Sequence, residues 1–96
     1  MPTEDETVLL QGPRRWNEHA RRRRAQGPFR PDLRKAMLHG ADLQGAELAD
    51  ADFTDAVLTE SYLISADLSG ADRTGAELDA GFRRSTVISD YLTIWP

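Results

Sequence analysis

Residues 41–50 read ADLQGAELAD, and this stretch contains the same five-residue unit twice. In each unit a small residue precedes a large apolar residue by two positions. The spacing continues on both sides of the stretch. The large positions are Leu33, Leu38, Leu43, Leu48, Phe53, Leu58, Leu63, Leu68 and Leu78, with Arg73 as the one break. The small positions are Ala36, Ala41, Ala46, Ala51, Ala56, Ser61, Ala66, Ala71 and Ala76.

A period of five fits neither a regular helix nor a regular strand. On an α-helix each step of five would rotate the leucine by about 140° beyond a full turn, so the leucines would not share a face. On a strand an odd step would place successive leucines on opposite faces. Within one unit, however, the small and large residues are two apart, as on a strand. The pattern therefore predicts a short extended piece followed by a corner, repeated so that both residues point toward one axis.

The units ADLQG at 41–45, AELAD at 46–50 and ADLSG at 66–70 resemble the pentapeptide-repeat family. The resemblance covers residues 31–80. It implies an all-β solenoid, a right-handed quadrilateral β-helix with four pentapeptides per coil. At that length the chain would form about three coils, with an N-terminal α-helical cap, and residues 20 apart would stack on one face.

The chain divides into three expected regions. Residues 1–30 form a basic helical cap, residues 31–80 form the β-helix, and residues 81–96 form a last partial coil and an aromatic tail. The net charge of −4 conceals an asymmetry, because residues 1–30 carry seven arginines against four acids. Residues 31–96 carry five basic residues against twelve acids. The sequence therefore describes a basic head on an acidic body.

The N-terminal region is expected to close the first coil. A helix is predicted over residues 14–25, with Trp16 and Ala20 on one face. Members of the family resemble this chain in having a Trp-Asn helix before the first repeat, here Trp16-Asn17. The residues expected to cover the open core are Val8, Leu9, Leu10 and Trp16.

Stacking at intervals of 20 residues sorts the outward side chains into two candidate surfaces. One is an acidic ladder, which consists of Asp32, Asp52, Asp72, Glu47 and Asp67. The other is an apolar patch, which consists of Met37, Val57, Tyr62 and Ile64 and stands where the family usually has polar residues. The inward Arg73 is expected to extend out through the C-terminal end, because an unpaired arginine is costly in a core.

The sequence predicts no enzyme, no metal site and no cofactor. Cysteine is absent, and the two histidines, His19 and His39, appear isolated on the surface. No serine has a base placed to activate it. No apolar run could span a membrane, and the acidic N-terminus lacks a signal-peptide pattern, so a cytoplasmic protein without membrane contact is expected.

The function expected is non-catalytic binding of another protein. The tail residues Tyr91, Leu92, Ile94 and Trp95 would be presented to that partner, or would cover the last coil or meet a second copy at the C-terminal end. A second hypothesis is a resemblance to precursors of ribosomally made, modified peptides. There the solenoid would be the leader, and YLTIWP would be the core that a haem-thiolate oxidase crosslinks at Tyr91 and Trp95.

A third hypothesis is that the acidic ladder mimics DNA and acts on DNA gyrase, as the resemblance to gyrase-protecting members implies. Direct binding of nucleic acid is disfavoured. Residues 21–24 are four consecutive arginines, and a helix spreads four consecutive residues around its circumference.

Overall fold

The computed structural model of the protein describes residues 2–78. Two helices come first, α1 (Glu4–Leu9) and α2 (Pro13–Ala25). The rest of the described chain, from residue 31, is a regular succession of single bridge residues and two-residue turns. The predicted tail, residues 81–96, lies outside the described residues.

Each five-residue unit is an extended piece closed by a tight turn. The amide of Ala36 donates to the carbonyl of Leu33, three residues earlier, at 3.1 Å. The equivalent hydrogen bond recurs in every following unit of the described chain, as far as Ala76 and Arg73. The second turn residue always has a positive φ, as in a type II turn. The residues in this conformation are Lys35, Gly40, Gly45, Asp50, Asp55, Glu60, Ser65, Gly70 and Gly75. This turn in every unit explains why an odd period can keep all the leucines on one side.

Successive coils pair in parallel at a register of 20 residues. The amide of Leu33 donates to the carbonyl of Asp52 at 2.9 Å, and the amide of Asp52 donates to the carbonyl of Pro31 at 2.9 Å. The parallel bridges in residues 2–78 are Asp32–Asp52, Met37–Val57, Asp42–Tyr62, Glu47–Asp67, Asp52–Asp72 and Val57–Glu77. Each is an isolated bridge rather than part of a longer strand. Four units therefore complete one coil, which confirms a β-helical solenoid.

The coil has four sides, which we number by the units of the first coil. Face 1 contains residues 31–35, face 2 residues 36–40, face 3 residues 41–45 and face 4 residues 46–50. The second coil repeats this order over residues 51–70, and the described part of the third coil ends at residue 78 on face 2.

The core of the solenoid consists of the inward residues of every unit. The large residues from Leu33 to Leu68 are almost fully buried, and small alanines fill the space beside them. Complete burial of one such leucine contributes about 1.5–3 kcal/mol. The stack of inward side chains is therefore the main source of stability in the repeats.

Arg73 occupies an inward position and does not leave the core. Its side chain is fully buried, so the expectation that it extends out of the C-terminal end was wrong. The unit around it keeps the repeat backbone, with Ala76 donating to the carbonyl of Arg73 at 3.0 Å. Because that backbone aims the side chain inward, burial lowers the pKa of Arg73 to about 10.

The two helices close the N-terminal end of the core. Leu9, Trp16 and Ala20 are buried against it, and Val8 packs at its margin. The inclusion of Leu10 in this cover was wrong, because 53% of its surface is exposed. Leu10 is the C-cap residue of α1, and each helical step rotates the side chain by about 100° away from its neighbour.

Helix α1 was not predicted, although the sequence carries a signal for it. The Thr3 hydroxyl accepts a hydrogen bond from the amide of Glu6 at 3.0 Å. Threonine followed three residues later by glutamate is the capping-box pattern that marks a helix start.

Candidate binding surfaces

The side chains of α2 replace a preceding coil on face 4. The Asn17 amide group donates to the carbonyl of Gly45 at 3.1 Å and accepts from the amide of Glu47 at 2.8 Å. The indole of Trp16 donates to the carbonyl of Glu47 at 2.8 Å. Arg24 donates to the carbonyl of Ala49 at 3.0 Å. These bonds satisfy backbone groups that would otherwise be exposed at the first coil of a solenoid.

The side chains of α1 and its N-cap residue do the same on faces 1 and 2. Thr3 donates to the carbonyl of Asp32 at 2.7 Å, and Asp5 accepts from the amide of Asp32 at 2.9 Å. Glu6 accepts from the amide of Met37 at 3.3 Å. These contacts explain why Asp5 and Glu6 are buried although both are acidic.

Neither histidine is isolated, contrary to the sequence-based expectation. His19 lies 2.9 Å from Asp5 and is largely buried, so it joins α2 to α1. His39 is exposed at the end of face 2, with one ring nitrogen 2.7 Å from the Thr59 hydroxyl and the other 3.1 Å from Glu60. Sequence reasoning missed the pair of His19 and Asp5 because no pattern places α1 against α2. It missed the pair of His39 and Thr59 although the two residues are 20 apart, which is the stacking interval of the coil.

The three aspartates of the acidic ladder on face 1 lie directly above one another, and their charges are partly neutralised. The Arg34 guanidinium forms two hydrogen bonds with Asp32, at 2.9 and 3.0 Å, which hold the pKa of Asp32 below its ordinary value. Hydrogen bonds from Thr74 hold the pKa of Asp72 below its ordinary value, and Arg30 lies 3.9 Å from the same carboxylate. Face 1 therefore presents carboxylates and arginines side by side.

The two acidic-ladder residues of face 4 are also engaged. The Arg21 guanidinium donates to Glu47 at 3.0 and 3.2 Å. Asp67 accepts from the amide of Ser69 at 3.0 Å and so shapes its own turn.

The four consecutive arginines of α2 face different surroundings. Arg21 pairs with Glu47, and Arg24 reaches the first coil at Ala49. The guanidinium carbons of Arg23 and Arg24 lie 4.8 and 5.7 Å from the centre of the Phe29 ring, so both make cation–π contacts. The run therefore serves in part to attach α2 to the solenoid.

The apolar patch lies on two neighbouring faces. Met37 and Val57 bridge each other on face 2, whereas Tyr62 and Ile64 belong to the second unit of face 3. The exposed fractions are 65% for Met37, 57% for Tyr62 and 53% for Ile64, and Val57 is half-buried. These are large apolar side chains in contact with water, as the sequence led us to expect.

Two other kinds of site find no support in the part of the chain that the structure describes. Within residues 2–78 no three histidine or acidic side chains form a group that could hold a metal ion. No helix in those residues is long and apolar enough to cross a membrane. The predicted contact residues Tyr91, Leu92, Ile94 and Trp95 lie outside the described residues.

Comparison with known proteins identifies the repeat. The family model described as Pentapeptide repeats (8 copies) matches residues 46–79. No curated protein matches the chain. Over these residues, which contain the same five-residue units whose corners and 20-residue register are described above, the chain is similar to the pentapeptide-repeat family.

Proposed function

We propose that this protein is a binding module that recognises another protein through the apolar patch of Met37, Val57, Tyr62 and Ile64. The observation that carries the proposal is the exposure of three large apolar side chains on adjacent faces of a rigid solenoid. Pentapeptide-repeat proteins are in general non-catalytic binding modules. Aromatic residues and methionine are also enriched at the centre of protein–protein interfaces.

The chemistry of the patch favours a protein partner over a charged ligand. Tyrosine gives a large contact area with a hydroxyl that can hydrogen-bond, and methionine adapts its shape to a partner surface. The patch stands on a backbone that is held by hydrogen bonds at every turn, so little conformational entropy is lost on binding. In this proposal the coil is right-handed and quadrilateral, as the family resemblance implies.

The acidic ladder supports a DNA-mimic function less well. A mimic of the phosphate backbone needs an uninterrupted row of negative charge. Here Arg34 and Arg30 lie beside the aspartates of face 1, and Arg21 lies beside Glu47 on face 4. The charge of the ladder is therefore partly neutralised, which makes it a weak imitation of DNA.

The C-terminal tail is proposed as a second contact or as a site of modification. Its sequence, with Tyr91 and Trp95 in six residues, supports both presentation to a partner and crosslinking by a modifying oxidase. Removal of residues 91–96 is expected to leave the solenoid folded and to weaken partner engagement. The intact mass of the protein from its source cells separates the two roles, because a crosslink between the two side chains lowers the mass by two hydrogens.

Site-specific photocrosslinking tests the patch directly. A photoreactive phenylalanine analogue is placed at Met37 or Tyr62 in the full chain, and at Arg22 as the control. The side chain of Arg22 is 76% exposed on α2, the helix whose side chains bond to face 4. In the source cells we expect covalent adducts from Met37 and Tyr62 and none from Arg22. Equal adducts from all three positions, or none from the patch, would refute the proposal.

A charged substitution provides the matching loss of function. Tyr62→Glu is expected to abolish the adduct formed through Met37, because a carboxylate in the centre of an apolar contact must be desolvated. Arg22→Glu changes the charge at an exposed position of α2 and is expected to leave the adduct unchanged. Circular dichroism of both variants checks that the solenoid is folded.

A further inference from the structure

The N-terminal edge of the first coil offers three backbone groups on each face. The second coil shows which groups these are, because it is paired with the first. On face 3 the amide of Tyr62 donates to Ala41 at 2.9 Å. The carbonyls of Tyr62 and Ile64 accept from Leu43 at 2.8 Å and Gly45 at 2.9 Å. One coil earlier, the equivalent groups are the amide of Asp42 and the carbonyls of Asp42 and Gln44.

Side chains of the N-terminal region form hydrogen bonds with a different number of these three groups on each face. On face 4 all three are bonded, by Asn17, Trp16 and Arg24. On face 1 the amide and the first carbonyl are bonded by Asp5 and Thr3. On face 2 only the amide is bonded, by Glu6 at 3.3 Å.

Face 3 is the side on which these three edge groups stay open, although Asn17 donates to the carbonyl of Gly45 at the corner of that face. Among residues 2–78, no group hydrogen-bonds to the amide of Asp42, to its carbonyl or to the carbonyl of Gln44. Both residues are exposed. An edge of this kind, with one donor and two acceptors in an extended backbone, pairs with another extended segment.

The spacing of the three groups defines the segment that fits. It must offer one carbonyl to Asp42, an amide two residues later to the carbonyl of Asp42, and an amide four residues later to the carbonyl of Gln44. A helix cannot do this, because its own hydrogen bonds occupy those groups. The segment must therefore be extended over five residues, in the conformation of one further repeat unit.

The negative charge of Asp42 favours a basic side chain at the second position of the segment. That residue would lie beside Asp42 as Asp42 lies beside Tyr62 in the bridge between the coils. The Asp42 carboxylate already accepts from the amide of Gln44 at 3.1 Å and is exposed. Lysine or arginine at this position would form a cross-strand pair of opposite charge.

We propose that an extended, basic segment of the partner protein adds to the N-terminal edge of face 3 and pairs with the backbone of Asp42 and Gln44. The inference deepens the proposed function and rests on it, because Tyr62 and Ile64 lie on the same face one coil below. The edge and the apolar patch then form one continuous surface. The edge gives register and direction, whereas the patch gives apolar contact.

Amide NMR spectra of the full chain test the edge with a defined probe. The probe is the acetylated and amidated peptide Ala-Lys-Leu-Ser-Gly, which has one repeat unit with lysine at the second position. We expect millimolar binding that shifts the Asp42 amide resonance downfield in a saturable manner. Three exposed hydrogen bonds support no tighter complex. A shift centred on face 1 or face 4, or no shift, would overturn the proposal.

Two N-methylated peptides provide a matched pair that does not depend on how protein variants fold. A methyl group on the leucine nitrogen removes the donor to the Asp42 carbonyl and should abolish the shift. A methyl group on the lysine nitrogen should preserve the shift. The amide at the second position of a unit points toward the N-terminal side, so in the added segment it points away from the solenoid. Equal behaviour of the two peptides would contradict backbone pairing.

A reversed charge tests the side-chain preference. The parent chain should bind Ala-Lys-Leu-Ser-Gly at least threefold more tightly than the same peptide with glutamate in place of lysine. Asp42→Lys is expected to reverse this order of affinities, again by at least threefold. Unchanged ranking would refute the charge pair.

The edge and the proposed function can fail separately. Crosslinks at Tyr62 without peptide binding at Asp42 would remove only the edge proposal. Peptide binding without crosslinks would contradict the patch.

Discussion

Faces 3 and 4 of the solenoid are neighbours and turn in the same way, and their inward residues differ only in Ser61 on face 3, which corresponds to Ala66 on face 4. Outside the core they differ more. On face 4 the outward bridge residues are Glu47 and Asp67, and α2 bonds all three edge groups. On face 3 the outward residues include the exposed Tyr62, and the edge at Asp42 is open. The repeat builds both faces equally, so what distinguishes them lies in residues outside the repeat rule. One face is used for stability and the other is left accessible.

The largest effect expected from this comparison is at Trp16. Trp16→Ala removes a fully buried indole and its bond to Glu47, and should lower the free energy of unfolding by about 3–5 kcal/mol. That is a large share of the roughly 5–15 kcal/mol of a typical domain. Urea denaturation measures it. Tyr62→Ala on face 3 is the control, with a change of about 0.5 kcal/mol or less, because the ring is exposed.

A smaller effect is expected at Asn17, which makes two hydrogen bonds with the first coil. Asn17→Ala leaves the amide of Glu47 without its acceptor and should cost about 1–3 kcal/mol. Gln44→Ala on face 3 changes an exposed residue and should leave stability within about 0.5 kcal/mol. If the two variants unfold at the same urea concentration, face 4 is not held by α2 in the way described.

The corner glycines allow a finer comparison of the same two faces. Gly45 ends a unit of face 3 and Gly70 ends a unit of face 4, both with φ near 70°. Alanine at either should cost about 1–2 kcal/mol for the left-handed backbone. A Cβ on Gly70 would also overlap the carboxylate of Asp50, whereas one on Gly45 would meet open space. We therefore expect Gly70→Ala to be the more destabilising of the two.

A double variant isolates that steric contribution. In an Asp50→Asn background the overlap with Gly70→Ala would persist, whereas in an Asp50→Gly background it would disappear. The four proteins compared are the parent, Gly70→Ala, Asp50→Gly and the double variant. Their thermal unfolding gives the coupling free energy between the two positions. Coupling of zero would show that the Asp50 side chain moves aside without cost.

The smallest effect concerns the charge pair on face 1, which has no counterpart at the open edge of face 3. Arg34→Ala should raise the pKa of Asp32 toward its ordinary value. The lowered pKa contributes stability above the pKa of the unfolded chain, and this contribution is lost as the pH falls through the lower, folded value. The variant should therefore lose less stability on acidification below pH 4 or so than the parent. Carboxyl carbon NMR measures the pKa, and Arg21→Ala serves as a control that leaves Asp32 unchanged.

Sequence reasoning succeeded where a local rule repeats. The inward leucines, the corner positions and the stacking of Asp32 on Asp52 all follow from the five-residue period, because each unit meets the same neighbours. It failed for Arg73, Leu10 and His19. Leu10 was misplaced because α1 was not predicted, and its position at the end of that helix turns it away from the core. Arg73 was misplaced because the repeat backbone directs its side chain inward in spite of the cost of burying it. His19 was misplaced because its partner Asp5 lies on another helix, which no local pattern reports.

The sequence by itself determined the coil: the period, the inward core and the exposure of Met37, Tyr62 and Ile64. These are properties of a repeat in which each side chain alternates between axis and solvent. Only the tertiary structure decided which coil edge is closed and which is open. Asn17, Trp16 and Asp5 reach the first coil from helices 27 or more residues earlier in the chain, and hydrogen bonds of this kind depend on position in space rather than on spacing in sequence.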